Sequence, residues 1–261
     1  TGVCPGRGLS FQYEGHERLV FPLYDNATGT ELASVIYSDD GGQTWTRGQH
    51  NADLNGVGKT SESQVVLLPD GTLRMYSRNT IPYISYADST DGGETWGTCQ
   101  KDMALGSRNP GNGCMVSFIN LDGILVGPDN TIYENLILAS YPVVQRKQGV
   151  VRIGYVDGEN VVHWLNDDEP RYQGAGNFSY SCVTQLPEGD AFGILYEYGN
   201  ETNTIQYETL TVNDLLGQGW YLLSGAENLP SISLDQAVVD LKAGETAKLT
   251  ATYTPTGAEV T

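Results

Sequence analysis

Positive charge is scarce in this chain. Only 14 Lys and Arg stand against 32 Asp and Glu, a formal net charge of −18 over 261 residues. Phosphate binding needs a basic stripe, so the balance argues against nucleic acid. The acidic excess confers solubility, and a pocket for an anionic ligand has to be a local positive exception. Histidine is rarer still: His16, His50 and His163 show no metal-ligand spacing, and Cys4, Cys99, Cys114 and Cys182 form no C-x-x-C pair, which argues against zinc or any other metal. The four cysteines allow three disulfide pairings; a core of this size needs no covalent staple, so free, buried thiols are expected. No apolar run approaches the roughly 20 residues of a membrane-spanning helix, and no signal-peptide pattern opens the chain, as in a mature secreted piece. Helical apolar periodicity is also missing up to about residue 222, apart from a possible turn at Val212 to Leu216.

What is present is tyrosine, glycine and repetition. Sixteen Tyr against 5 Phe, with 32 Gly, favour an all-β, turn-rich chain. Ser38-Asp39-Asp40-Gly41-Gly42-Gln43-Thr44-Trp45 and Ser89-Thr90-Asp91-Gly92-Gly93-Glu94-Thr95-Trp96 share the pattern S-x-D-x-G-x-T-W, 51 residues apart. That spacing is about one four-stranded propeller blade. Strand-like runs precede both (Ala33 to Tyr37, Tyr83 to Tyr86), and Asp-Gly-Gly is hairpin chemistry, so each box is a structural staple. Dividing about 220 residues by this spacing gives about four blades.

A second repeat carries chemistry. Ser61 to Gly71 (SESQVVLLPDG) returns as Ser179 to Gly189 (SYSCVTQLPEG) with six identities, but Glu62 in one copy stands where Tyr180 stands in the other. Taking Pro69-Asp70-Gly71 as a three-residue hairpin loop pairs Leu68 with Thr72 and hence Glu62 with Arg78. Such a pair is ordinarily a solvated surface contact worth about 0–1 kcal/mol, and a lone Tyr180 is ordinarily a core aromatic. In a propeller, however, equivalent residues of different blades are related by rotation about one axis, so Glu62 and Tyr180 should both point into the central well. Tyr180 then becomes a candidate nucleophile with Glu62 as its base.

Beyond about residue 222 the composition changes. Residues 223–233 read as a linker, and residues 234–261 as the opening strands of an immunoglobulin-like module, alternating around a Gly244-Glu245-Thr246 turn and too short for a whole sandwich.

Together these residues resemble the bacterial sialidases over about residues 5 to 222. The resemblance rests on the two boxes, Glu62-Ser63-Gln64 with Arg78 in MYSRN, Tyr180-Ser181-Cys182 leading to Leu195-Tyr196-Glu197, Arg18 to Pro22, and Ser140-Tyr141-Pro142 followed by Arg146 and Val150-Val151-Arg152. It implies a six-bladed β-propeller of sialidase type, of which only about four blades lie in this chain, and an exo-α-sialidase, secreted or at the cell surface. Such an enzyme hydrolyses terminal sialic acid with retention through a tyrosyl intermediate. Position by position it implies Tyr180 as nucleophile, Glu62 as its partner, and Arg78 and Arg146 on the substrate carboxylate. Arg152 is the rival of Arg146, disfavoured because Arg146 follows the Ser-x-Pro turn. The implied partners are sialylated glycans or glycoproteins, with no cofactor.

The chain departs from that pattern in lacking the first carboxylate-binding arginine and the acid/base aspartate. Arg7, Arg18, Asp39 and Asp40 are poor substitutes, since their neighbours match other family positions or the box. The expectation is therefore the C-terminal part of a catalytic domain, completed by an N-terminal part of the same domain; the alternative is a non-catalytic sialoglycan-binding propeller. Met115 and Tyr141 also differ from the family's usual Gln and Asn, as pocket changes or as packing.

Overall fold

The computed structural model describes residues 2–108, 112–165, 173–187, 189–198 and 204–224, together with the backbone of two further strands, 231–234 and 251–254. Four antiparallel sheets follow one another along the chain. The first contains β1 (Gly2–Val3), β2 (Leu9–Tyr13), β3 (His16–Asp25), β4 (Leu32–Ser38) and β5 (Thr46–Arg47), with β1 and β2 sharing the same edge of the long β3. The second is the meander β6 (Ser63–Leu67), β7 (Leu73–Ser77), β8 (Tyr83–Ser89) and β9 (Gln100–Gly106). After β10 (Ser117–Leu121) the chain makes an excursion through β11 (Ile124–Val126) and β12 (Ile132–Tyr133). The third sheet then continues with β13 (Leu136–Val144), β14 (Lys147–Val156), β15 (Val162–Trp164) and β16 (Gln173–Asn177). The fourth is β17 (Ser181–Gln185), β18 (Ala191–Tyr198) and β19 (Thr204–Thr211). It leads into the single-turn helix α1 (Val212–Leu216) and β20 (Tyr221–Leu223), which pairs with β11. Strands β21 (Ser231–Leu234) and β22 (Ala251–Thr254) pair with each other; the Gly244-Glu245-Thr246 turn lies outside the described residues.

Apolar layers join each sheet to the next. Val20, Ala33 and Val35 of the first meet Val65, Leu73 and Met75 of the second. Val66, Tyr76 and Ile84 meet Phe118, Ile137, Ala139 and Tyr141, and Leu136, Leu138, Val151 and Ile153 meet Val183, Phe192, Ile194 and Tyr196. A sheet buried on both faces needs apolar residues at every position rather than at alternate ones, which is why Leu136–Tyr141 is buried throughout. These are consecutive propeller blades, four among the described residues, in keeping with the spacing of the boxes. Both boxes are staples: Asp40 and Asp91 each accept from the N–H and hydroxyl of the Thr four residues on and from the Ser two residues before.

The inner edge of a blade presents unpaired main-chain groups. Carboxamides meet them, each reaching back to the sheet before its own. Asn120 accepts from Leu67 N–H and donates to Leu67 C=O, both at 2.8 Å. Gln185 does the same to Asp122, at 2.8 and 2.9 Å, and Gln64 donates to Pro5 C=O at 2.6 Å and accepts from Arg7 N–H at 3.4 Å. A primary amide carries the donor and acceptor of a peptide group, so it substitutes for a neighbouring strand. None of the four cysteines is in a disulfide; Cys4, Cys99 and Cys114 are buried and Cys182 is partly exposed.

Candidate active site

The loop after β6 fixes what faces what. Leu68 N–H donates to Thr72 C=O and Gly71 N–H to Leu68 C=O. Gly71 has a φ of +90°, and Asp70 caps Thr72 N–H. The register runs from Leu67 opposite Leu73 to Ser63 opposite Ser77 and sets Glu62 against Arg78, as the three-residue loop predicts. At the end of this ladder Ser61 N–H donates to Arg78 C=O while Arg78 N–H donates to Glu62 C=O. Two residues of the inner strand thus oppose one, the pattern of a β-bulge, which re-aims the side chain there. The second repeat is built the same way: Ser179 N–H donates to Glu197 C=O, and Glu197 N–H to Tyr180 C=O.

The two bulges deliver their side chains to one point. Tyr180 Oη donates to Glu62 Oε1 at 2.6 Å. Arg78 Nη1 donates to Glu62 Oε2 at 2.5 Å and to Tyr180 Oη at 3.2 Å, while its Nε is held by Asn112 C=O at 2.8 Å. The remaining arm of the fork, Nη2, makes no hydrogen bond among the described residues. Glu62 is buried and Tyr180 half-buried. Burial raises the Tyr180 pKa above its ordinary value and the Glu62 carboxylate raises it further, with Arg78 opposing. The phenol therefore rests protonated and can react only as its proton leaves for Glu62. Burial alone would lower the Arg78 pKa, but the bond and charge of Glu62 outweigh it and raise the pKa.

Arg146 arrives from the third sheet. Its guanidinium carbon lies 5.5 Å from the centroid of the Tyr180 ring, within cation–π range. It sits in the two-residue turn between β13 and β14, where Gln145 and Arg146 take φ of +45° and +59°. That form ordinarily requires Asn-Gly. Gln145 N–H to Arg108 C=O (3.1 Å) and Phe178 N–H to Arg146 C=O (2.7 Å) hold the turn. Phe178, two residues before Tyr180, lies on Gly149, where a Cβ would come within 2.0 Å of its ring. One aromatic thus ties the arginine turn to the tyrosine strand.

Arg152 is elsewhere: it is buried opposite Ala139, donates to Ala104 C=O at 2.9 Å and lies 5.9 Å from the Trp164 ring centroid. Arg18 is stacked between Tyr13 and Tyr37, 4.1 Å from each centroid, and paired with Asp39 and Glu94, so it ties the first sheet to the second box. Arg7 reaches Thr184 at 3.3 Å. Met115 and Tyr141 are buried, Tyr141 in the layer between the second and third sheets. Sequence reading missed Asn112, whose contribution is a carbonyl that any residue supplies. It also missed a third copy of the inner strand, Ser117 to Gly123, two residues shorter, in which Val116 stands at the position of Glu62 and Tyr180.

Residues 2–192 match the family described as BNR repeat-like domain. The chain is 33% identical over 236 residues to the anhydrosialidase of Macrobdella decora, covering 83% of this chain and 29% of that protein. It is 32% identical over 203 residues to the sialidase of Micromonospora viridifaciens, covering 76% and 29%. The chain is a sialidase-family BNR repeat domain. Among solved structures the domain superposes on the intramolecular trans-sialidase from Ruminococcus gnavus in complex with oseltamivir carboxylate, with a TM-score of 0.66 and 32% identity over 82% of this chain and 44% of that one. This sialidase-family domain thus spans less than half the length of each of these relatives.

Proposed function

We propose that residues 1–222 form the C-terminal part of the catalytic domain of an exo-α-sialidase, secreted or at the cell surface. In this reading it removes terminal sialic acid from glycans or glycoproteins with retention. The observation that carries the reading is the 2.6 Å hydrogen bond from the Tyr180 hydroxyl to Glu62, flanked by two arginines. The anomeric carbon of sialic acid bears a carboxylate. An ionised Asp or Glu attacking there would meet a like charge near 4 Å, at about 4 kcal/mol for an effective dielectric of 20. A neutral phenol avoids that repulsion. Tyr180 is then the nucleophile: its oxygen bonds the anomeric carbon as the glycosidic C–O bond breaks, Glu62 takes the phenol proton, the leaving aglycone oxygen takes a proton from the acid/base aspartate, and Arg78 and Arg146 hold the substrate carboxylate with planar, permanently charged forks. The acid/base aspartate and the first arginine belong, in this reading, to an N-terminal part of the same domain.

The test is Tyr180→Phe in the longest natural chain that contains these residues. Release of sialic acid should be abolished while calorimetry still detects sialoside binding; unchanged turnover refutes the assignment. Binding without release by the unmutated protein would favour a sialoglycan-binding propeller instead. Glu62→Gln should lower kcat about 10²- to 10⁴-fold, the usual worth of a positioned base. The names of two relatives favour a second fate for the same intermediate, in which a hydroxyl of the bound sugar takes the place of water. Mass spectrometry of the product decides, because an anhydro sugar is one water lighter than free sialic acid.

A further inference from the structure

Strand β6 is the end strand of its sheet, so the main-chain groups on its inner edge beside Glu62 have no strand partner there; Ser61 C=O accepts from the Ser63 hydroxyl at 2.6 Å, and further contacts come from outside the sheet. One side chain supplies two. Ser63 N–H donates to Cys4 Sγ at 3.2 Å, and the Cys4 thiol donates to Ser61 C=O at 3.8 Å. The sulfur thus grips the main chain on both sides of Glu62. Cys4 is itself fixed, with its N–H bonded to Pro22 C=O at 2.9 Å and the following Pro5 held by Gln64. The grip needs a thiol rather than a thiolate, since the donor to Ser61 is the S–H. Burial pushes the Cys4 pKa up to about 12; the Ser63 N–H opposes this and the Glu62 charge adds to it.

We propose that Cys4 is a positioning residue for the Glu62 carboxylate, fixing through Ser61 and Ser63 the segment from which that carboxylate reaches the Tyr180 hydroxyl. The inference rests on the reading of Tyr180 and Glu62 as nucleophile and base. Proton transfer depends steeply on the separation and alignment of donor and acceptor, so loosening the segment should slow the chemical step and leave sialoside binding, made by the arginines, largely alone.

The experiment compares Cys4→Ala, Cys4→Val, Cys4→Ser, Cys99→Ala and Tyr180→Phe in the longest natural chain, reading kcat, KM and Tm on a fluorogenic sialoside. Cys99 is the control: a second buried thiol, which accepts from Asn51 at 3.2 Å within a separate apolar cluster. Cys4→Ala should lower kcat about tenfold or more with KM changed less than about twofold. Cys4→Val, which refills the volume without a donor or acceptor, should match it. Cys4→Ser, which keeps both functions, should recover much of the loss, and Cys99→Ala should leave kcat unchanged at a comparable loss of Tm. Wild-type kcat in Cys4→Val overturns the inference, as does a kcat loss no larger than that of Cys99→Ala. Should Cys4→Ala not fold, the contrast of Val with Ser decides alone. Tyr180→Phe separates the two levels: turnover surviving there sinks the nucleophile and with it this inference, whereas turnover lost there but intact in Cys4→Val sinks only the role of Cys4.

Discussion

Arg78 is the busiest side chain of the site, holding a carboxylate, a phenol and a carbonyl with two of its three nitrogens. A lysine ammonium is a point charge without that planar fork. Arg78→Lys should therefore keep the fold and lower kcat/KM for a sialoside about ten- to a hundredfold, corresponding to the loss of one or two charge-assisted bonds; steady-state kinetics and Tm check both halves. Arg78→Ala leaves Glu62 buried and uncompensated and should cost about 3 kcal/mol in urea titration. At this scale much was legible in the sequence. Glu62 and Arg78 could be paired because a loop of known length fixes every partner behind it, and Tyr180 could be joined to Glu62 because repetition puts them at equivalent positions. The Asn112 carbonyl and the Cys4 thiol were not legible. The first is a group common to all residues, and the second acts on its neighbours' backbone, which no side-chain pattern reports.

Among the elements, the turn at Gln145–Arg146 sets local stability against the site. Two consecutive non-glycine residues in the left-handed region cost about 1–2 kcal/mol each. Arg146→Gly should raise the urea midpoint by about 1 kcal/mol in stability while weakening sialoside binding measured by calorimetry. A variant that is both less stable and still tight-binding would show that the turn is not strained. Gly149→Ala should fail in the opposite direction: its new methyl would meet the Phe178 ring, and overpacking of that kind costs about 1–3 kcal/mol. Turnover should fall with it, because Phe178 links the tyrosine strand to the arginine turn. The sequence marked Arg146 through the preceding Ser-x-Pro segment, but a Gln-Arg pair gives no letter-level sign of a turn that ordinarily wants Asn-Gly.

For the whole molecule, pH acts from both sides. Asp25, Asp39, Asp40, Asp70, Asp91, Asp129 and Asp157 are held below the ordinary carboxylate value, mainly by hydrogen bonds to backbone, hydroxyl, Arg or His groups, Asp40 at about 2. Their contribution is complete above the unfolded value of 3.8 and is lost as pH falls toward 2. Burial raises Cys4 to about 12 and Cys99 to about 11, and raises Tyr76, Tyr86 and Tyr180 above 10.0. Those groups stay protonated in the fold while the unfolded chain ionises from 9.0 upward, so stability should fall as pH climbs from 9 toward 12. Urea midpoints at pH 3, 7 and 11 should trace a maximum in the middle; an undiminished midpoint at pH 11 would contradict the burial of these thiols and phenols. The architecture was the most legible level, since the two boxes gave the blade length and the abundance of Tyr and Gly an all-β, turn-rich chain. The joints made by Gln64, Asn120 and Gln185 were hidden, because an amide in a strand reads as an ordinary polar position.

What those amides hold is main chain, so the residues they hold are free to be re-lettered without loosening the ring. The amides themselves have no such freedom. Spontaneous deamidation would exchange the donating nitrogen for a second oxygen facing a carbonyl, turning half of each joint from attraction to repulsion. Deamidation at any of these three positions should therefore part neighbouring blades along the axis.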